Sequence, residues 1–264
     1  MQIRSRCLAA ALAFLSLLAL PLAPARARSD IGVVVLHGTQ GFPGDRVMAP
    51  FERALVNAGY AIQAPQMCWS GTRIFDATYP DCLREIDAAV AALRAGGARR
   101  IVVAGQSRGG NAAIVYGVQH PELAGVIALA PASVPDQYFQ SPAVVRSLAE
   151  ARRMVAAGQG NQRAGFTEAN VGRVFTVSTT AEIYLSFHEP GGPADFPKLL
   201  PQLRVPFLWV AGSLDRLQDQ APTWFRTVPA NPLNKLVQVT ADHLGTPLAG
   251  TGEALDWLER LPAQ

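Results

Sequence analysis

Charge is scarce in this chain. Only 16% of the 264 residues are charged and 49% are apolar, which excludes a disordered, solvated polymer. Cysteine is scarcer still, with three residues and neither a C-x-x-C nor an H-x-x-x-H spacing beside them, so nothing marks a zinc site. Histidine occurs four times, at His37, His120, His188 and His243, so any imidazole chemistry must come from a short list. After the first 28 residues there is no internal repeat, no low-complexity tract and no basic cluster beyond a few pairs. The formal charge of +3 and the pI near 9.0 suggest a polyanion partner at first sight.

Much of that basicity lies in the leader. Arg4 and Arg6 precede an almost unbroken apolar run from Cys7 to Leu20, followed by Pro21, Pro24 and small residues at Ala23, Ala25 and Ala27. This is the order of a secretory signal peptide. The run is short of the roughly 20 residues of a membrane span, so residues 1–27 are expected to be cleaved rather than kept as an anchor. Cleavage is expected after Ala27, with Ala25 as a second site. Loss of residues 1–27 removes Arg4, Arg6 and Arg26 and no acid, leaving twenty basic and twenty acidic residues. A neutral chain without a basic patch gives little support for nucleic-acid or phosphate binding. The expected location is the periplasm or the exterior. Cys7 goes with the leader, and the remaining pair, Cys68 and Cys82, is expected to form a disulfide, with two buried thiols as the alternative.

The mature chain alternates short apolar, β-branched runs with helical patterns. Strands are expected at residues 31–36, 60–64, 100–104, 125–130, 205–211 and 235–240. Helices are expected at 47–58, 81–95, 111–119 and 251–261, the second with Leu83, Ile86, Val90 and Leu93 on one face. Runs with no polar alternation suit strands buried on both faces. The pattern predicts an α/β fold: a doubly wound, mostly parallel sheet of about six strands with right-handed crossovers. About seventy residues between the fourth and fifth strands break the rhythm and are too long for a plain loop. Residues 132–203 are expected to form a cap over the carboxyl edge of the sheet, with a helix at 143–157 and a polar, Gly-rich loop at 158–165.

Candidate chemistry sits at the ends of those strands. Gly105-Gln106-Ser107-Arg108-Gly109 follows the third strand and precedes a helix, the context that gives G-x-S-x-G its meaning: a tight turn lifts the serine clear of the sheet at a helix N-terminus. A serine needs a base, and the base an orienting acid. His243, just after the last strand, is the expected base. Asp215, after the fifth, is the expected acid, with Asp219 in reserve and Asp242 expected to point elsewhere. His37-Gly38-Thr39-Gln40-Gly41 ends the first strand and supplies candidate oxyanion donors: the main-chain N–H of Thr39 or Gln40, together with that of Arg108. His37 is expected to hold this loop, and His120 to be a solvated surface group. His188 is expected to be structural, with substrate contact as the alternative. Met67, Trp69, Phe75, Tyr138, Phe139, Tyr184 and Phe187 are expected in core packing more than in a pocket lining.

These motifs in this order resemble the α/β-hydrolase superfamily over about residues 31–261, in particular its exported bacterial esterases and lipases. The resemblance implies a serine hydrolase working through an acyl-enzyme, with Ser107, Asp215 and His243 as the triad, a small-molecule acyl substrate, and no metal or organic cofactor. It favours carboxylic esters or thioesters. An amidase or aminopeptidase, an acyltransferase on the same triad, and a non-catalytic binding module remain the alternatives, and a monomer is the default. The elbow departs from many relatives in carrying Gln106 and Arg108. Arg108 either favours acidic substrates or forms a salt bridge. The loop lacks the H-G-G-G of many lipases, which counts against esters of bulky tertiary alcohols. With strand one so close to the expected mature start, the usual antiparallel N-terminal strands are expected to be missing.

Overall fold

A computed structural model describes residues 30–135 and 141–262. The expected signal peptide, together with Tyr138 and Phe139, lies outside the described residues. Six strands, β1 (Ile31–Leu36), β2 (Ala61–Gln63), β3 (Arg100–Gln106), β4 (Gly125–Leu129), β7 (Phe207–Gly212) and β8 (Lys235–Val239), form one sheet in the order β2-β1-β3-β4-β7-β8. Every pairing within it is parallel. The β1, β4 and β7 side chains are buried throughout, because helices cover both faces.

Alternate residues of each strand feed two cores. Val34, Leu36 and Val103 pack with α2 (Tyr79–Ala95) and α3 (Arg108–Gln119). Val33, Val35, Val102 and Ala104 pack with Phe51 and Leu55 of α1 (Ala49–Asn57) and with Trp257 and Leu258 of α6 (Thr251–Glu259). Each buried Val, Leu or Phe side chain among these contributes roughly 1.5–3 kcal/mol by its removal from water. Helix α2 begins two residues before the expected start, because the Thr78 side chain caps it by accepting from the Asp81 N–H and Pro80 suits its first turn. On its expected face Leu83, Ile86 and Leu93 are buried and Val90 is half-buried. Helix α3 starts at Arg108 rather than Asn111, because the chain passes from strand to helix through Ser107 alone. Among the described residues no helix is long and apolar enough to cross a membrane.

Between β4 and β7 lie α4 (Pro142–Ala156), an antiparallel hairpin of β5 (Arg163–Asn170) and β6 (Arg173–Thr180), and α5 (Ala181–His188). The loop expected at residues 158–165 is therefore shorter, with Arg163 to Gly165 already in β5. The hairpin packs on α4 and α5 with Phe166 and Val177 in the core, and turns the buried Glu168 toward Arg108 and His188. Met67, Trp69, Phe75, Tyr184 and Phe187 are fully or almost fully buried in this core.

Cys68, in the loop after β2, is bonded to Cys82 in the first turns of α2, with their Cα atoms 5.8 Å apart. The bridge closes a loop of 14 residues. In the chain-entropy view that is worth about 3 kcal/mol, so Cys68→Ala/Cys82→Ala is expected to melt roughly 6–12 °C lower. Differential scanning calorimetry on the two proteins checks this, and superimposable melts would refute it.

Candidate functional site

The β3–α3 turn sets the geometry. Ser107 has φ 55° and ψ −119°, a backbone conformation few side chains adopt. The turn is tight enough that a Cβ on Gly105 would lie 2.2 Å from the Gly109 carbonyl oxygen. One on Gly109 would lie 2.3 Å from that of Leu36. The glycines of the motif are therefore steric requirements. The Ser107 side chain makes no capping bond to the helix it precedes.

The loops after β7 and β8 converge on that serine. Main-chain bonds from Ser213 to Val239 and from Leu214 to Ala241 hold the two loops side by side. His243 Nε2 lies 2.9 Å from Ser107 Oγ, and His243 Nδ1 lies 2.6 Å from Asp215 Oδ2. The other Asp215 oxygen accepts the Leu217 N–H at 3.0 Å, which fixes the carboxylate plane. Gln106 Nε2 donates to the His243 carbonyl oxygen at 3.2 Å and anchors the histidine from the elbow side. All three of Ser107, Asp215 and His243 are buried. Asp242 is exposed and accepts from the Gly245 N–H, and Asp219 is also exposed.

The loop after β1 is held from within. His37 Nδ1 donates to the Gly38 carbonyl oxygen at 2.8 Å, and its Nε2 accepts the Met67 N–H at 3.1 Å. Burial pushes the His37 imidazole below its ordinary pKa, in keeping with one donating and one accepting nitrogen. Its role is structural. Gly38 O also accepts the Gly41 N–H at 3.0 Å, which fixes the Gly38–Thr39 peptide plane and so the direction of the Thr39 N–H. The Gln40 N–H donates to the Trp69 carbonyl oxygen at 2.9 Å. Of the two loop amides expected as oxyanion donors, that of Gln40 is thus engaged elsewhere.

Arg108 does not face a substrate. Its side chain is fully buried, between the Phe75 and Phe187 rings at 5.0 and 5.2 Å. It forms an ion pair with Glu168 of β5 at 3.1 Å, and its Nε donates to Thr39 Oγ1 at 2.8 Å. Burial acts to raise the Glu168 carboxyl pKa, but Arg108 and His188 outweigh it and hold that pKa below the ordinary range. His188 bonds Glu168 at 3.1 Å and the Tyr184 carbonyl oxygen at 2.9 Å, a buried structural histidine. His120 is only partly exposed, stacked on Tyr116 with centroids 3.9 Å apart. Asn170, at the end of β5, donates to the Thr39 carbonyl oxygen at 3.3 Å. The hairpin residues Glu168 and Asn170 escaped the sequence reading. Their signal, a charge in the period-two pattern Ala164, Phe166, Glu168, is too short to read without its partners.

Two cavities open on Ser107. One of about 460 Å³ is lined by Thr39, Gln40, Phe42, Phe175 and Leu244, and one of about 280 Å³ by Ala132, Ser133, Ala169 and Leu217. Ser107, His243, Asn170 and Val171 border both.

A family model described as the alpha/beta hydrolase family matches residues 33–255. Among solved structures, one reported for two metagenome-derived lipolytic enzymes is similar at TM-score 0.66 and 21% identity, over 88% of this chain and 94% of that one. A monoacylglycerol lipase of Paleococcus ferrophilus is similar at TM-score 0.65 and 16% identity, over 86% and 93%. The esterase domain of a Rhodothermus marinus protein is similar at TM-score 0.60 and 17% identity, over 90% of each chain. No curated protein sequence matches significantly.

Proposed function

The chain belongs to the alpha/beta hydrolase family, and from that premise we propose that it is an exported serine hydrolase that cleaves carboxylic ester bonds through an acyl-enzyme. The observation that carries this reading is the hydrogen-bonded chain Ser107–His243–Asp215, at 2.9 and 2.6 Å, on a strained strand-to-helix turn. Asp215 accepts a hydrogen bond from His243 Nδ1–H, which keeps the proton on Nδ1 and leaves Nε2 free to take that of Ser107.

Ser107 Oγ attacks the ester carbonyl while His243 takes its proton. The carbonyl oxygen becomes an oxyanion, held by the main-chain N–H groups of Thr39 and Arg108. As the intermediate collapses, His243 returns the proton to the departing alcohol. Water, deprotonated by His243, then attacks the acyl-Ser107 ester, and the second intermediate releases the acid and restores the serine. Asp215 keeps the imidazole tautomer and stabilises its cationic form throughout. Residues 132–203 act as the cap over this site, and residues 1–27 as the cleaved leader. The Cys68–Cys82 bridge supports an oxidising destination.

Labelling with a fluorophosphonate, followed by peptide mapping, tests the reading. Modification of Ser107 in the parent and none in His243→Ala is the expected result. Failure of the folded parent to label would overturn it.

A further inference from the structure

The hairpin that overhangs Ser107 ends in an unfavourable turn. Asn170 pairs with Arg173, so β5 and β6 are joined by two residues, Val171 and Gly172, with φ of 47° and 74°. Positive φ at both positions is the geometry of a type I′ turn, which favours Asn-Gly. A β-branched residue there is a true outlier, because its Cβ substituents crowd the backbone. Val171 is also 45% exposed, so burial does not offset the strain. The turn does not hang free: the Asn170 side chain ties it to the Thr39 carbonyl oxygen. Val171 and Asn170 border both the 460 and the 280 Å³ cavities, as Ser107 and His243 do, with Gly172 lining the smaller and Arg173 and Phe175 the larger. Strain retained at such a place points to a function for the side chain rather than for the turn.

The geometry points to Val171 as a specificity-determining divider: it splits the cleft into two subsites, one for each arm of the scissile ester. The larger arm lies against Phe42, Phe175 and Leu244, in a cavity that Asp45, Arg46 and Arg173 also line, and the smaller against Ala132, Ala169 and Leu217, with Arg216 beside them. The substrate class is then an ester with apolar groups on both sides of the bond, one of them size-limited. The inference rests on the ester-hydrolase reading of the same site.

Two variants separate bulk from strain. Val171→Gly removes the divider and relieves the backbone. Val171→Asn relieves the backbone but keeps a side chain of similar size. Parent and variants are compared by kcat/KM on p-nitrophenyl octanoate against acetate for the acyl arm, and on benzyl against methyl butyrate for the alcohol arm. One or two methylenes of fit are worth roughly tenfold or more in kcat/KM, so Val171→Gly is expected to raise at least one long-to-short ratio by about tenfold. Val171→Asn is expected to keep both ratios within about twofold of the parent, and both variants to melt no lower than it, since Asn and Gly tolerate positive φ. Two unchanged ratios in Val171→Gly overturn the divider, as does an equal shift in Val171→Asn. A parent that neither turns over these esters nor labels at Ser107 overturns the underlying reading instead, and the divider with it.

Discussion

Ser107→Ala is expected to lower ester turnover by about 10⁴- to 10⁶-fold while melting within a degree or two of the parent. The two halves of that expectation have separate causes. Activity falls because the nucleophile is gone and His243 has no proton to take. Stability holds because Ser107 Oγ caps no helix and bonds only across the site, to His243 Nε2. Alanine inherits the same strained φ of 55°, so the turn is neither relieved nor further burdened. His243→Ala is expected to fall as far, and the Ser107→Ala/His243→Ala pair no further than either alone, because the two act as one unit. Asp215→Asn is expected to cost on the order of 10⁴-fold, since an amide stabilises the wrong imidazole tautomer. Steady-state kinetics with p-nitrophenyl butyrate, beside thermal melts, read all four. Residual activity of Ser107→Ala above about a tenth of the parent would remove Ser107 as nucleophile, and additive losses would deny the unit.

The site was legible where backbone sterics leave a mark in the sequence. The β3–α3 turn demands glycine at 105 and 109 because neighbouring carbonyl oxygens occupy the space of a Cβ, and the motif records that demand. Asp215 and His243 were legible because each follows an apolar run that ends at the same sheet edge. The four central strands β1, β3, β4 and β7 were legible because burial on both faces removes polar residues from nearly all their positions, and the half-buried edge strands β2 and β8 by their short apolar runs.

Features resting on a single long-range contact were not legible. Whether Thr39 or Gln40 offers its amide depends on the Trp69 carbonyl oxygen, which no local pattern reveals. Whether Arg108 meets substrate or a carboxylate depends on Glu168, 60 residues away in the segment with the weakest periodicity. The β5–β6 hairpin was hidden for a related reason. Its inward positions include Glu168, a residue that only a buried cation makes tolerable there, and its turn uses Val-Gly where Asn-Gly would have announced it.

That buried pair carries the second large effect. Glu168→Gln is expected to destabilise the protein by about 3–5 kcal/mol, because it removes the carboxylate paired with the Arg108 guanidinium in a fully desolvated place. Arg108→Met is expected to cost a similar amount by removing the cation beside the carboxylate, with the His188 Nε2 hydrogen bond left to it. The double variant Arg108→Met/Glu168→Gln removes both charges and fills much of the same volume between Phe75 and Phe187. It is expected to recover most of the lost stability, since a desolvated pair returns little more than it costs. Activity should not recover with it. Arg108 Nε also holds Thr39 Oγ1 at 2.8 Å, beside the amide proposed to face the oxyanion. Without that bond the loop keeps its His37, Gly41 and Asn170 restraints but loses the one reaching the Thr39 side chain. A donor misplaced by a fraction of an ångström costs most in the transition state, so kcat is expected to fall about tenfold with KM little changed. Urea unfolding and Michaelis kinetics on the two single variants and the double decide it. A double variant no more stable than the singles would show that the charges are not coupled. One that regains full kcat would show that Arg108 holds the fold and leaves the oxyanion loop to its other bonds.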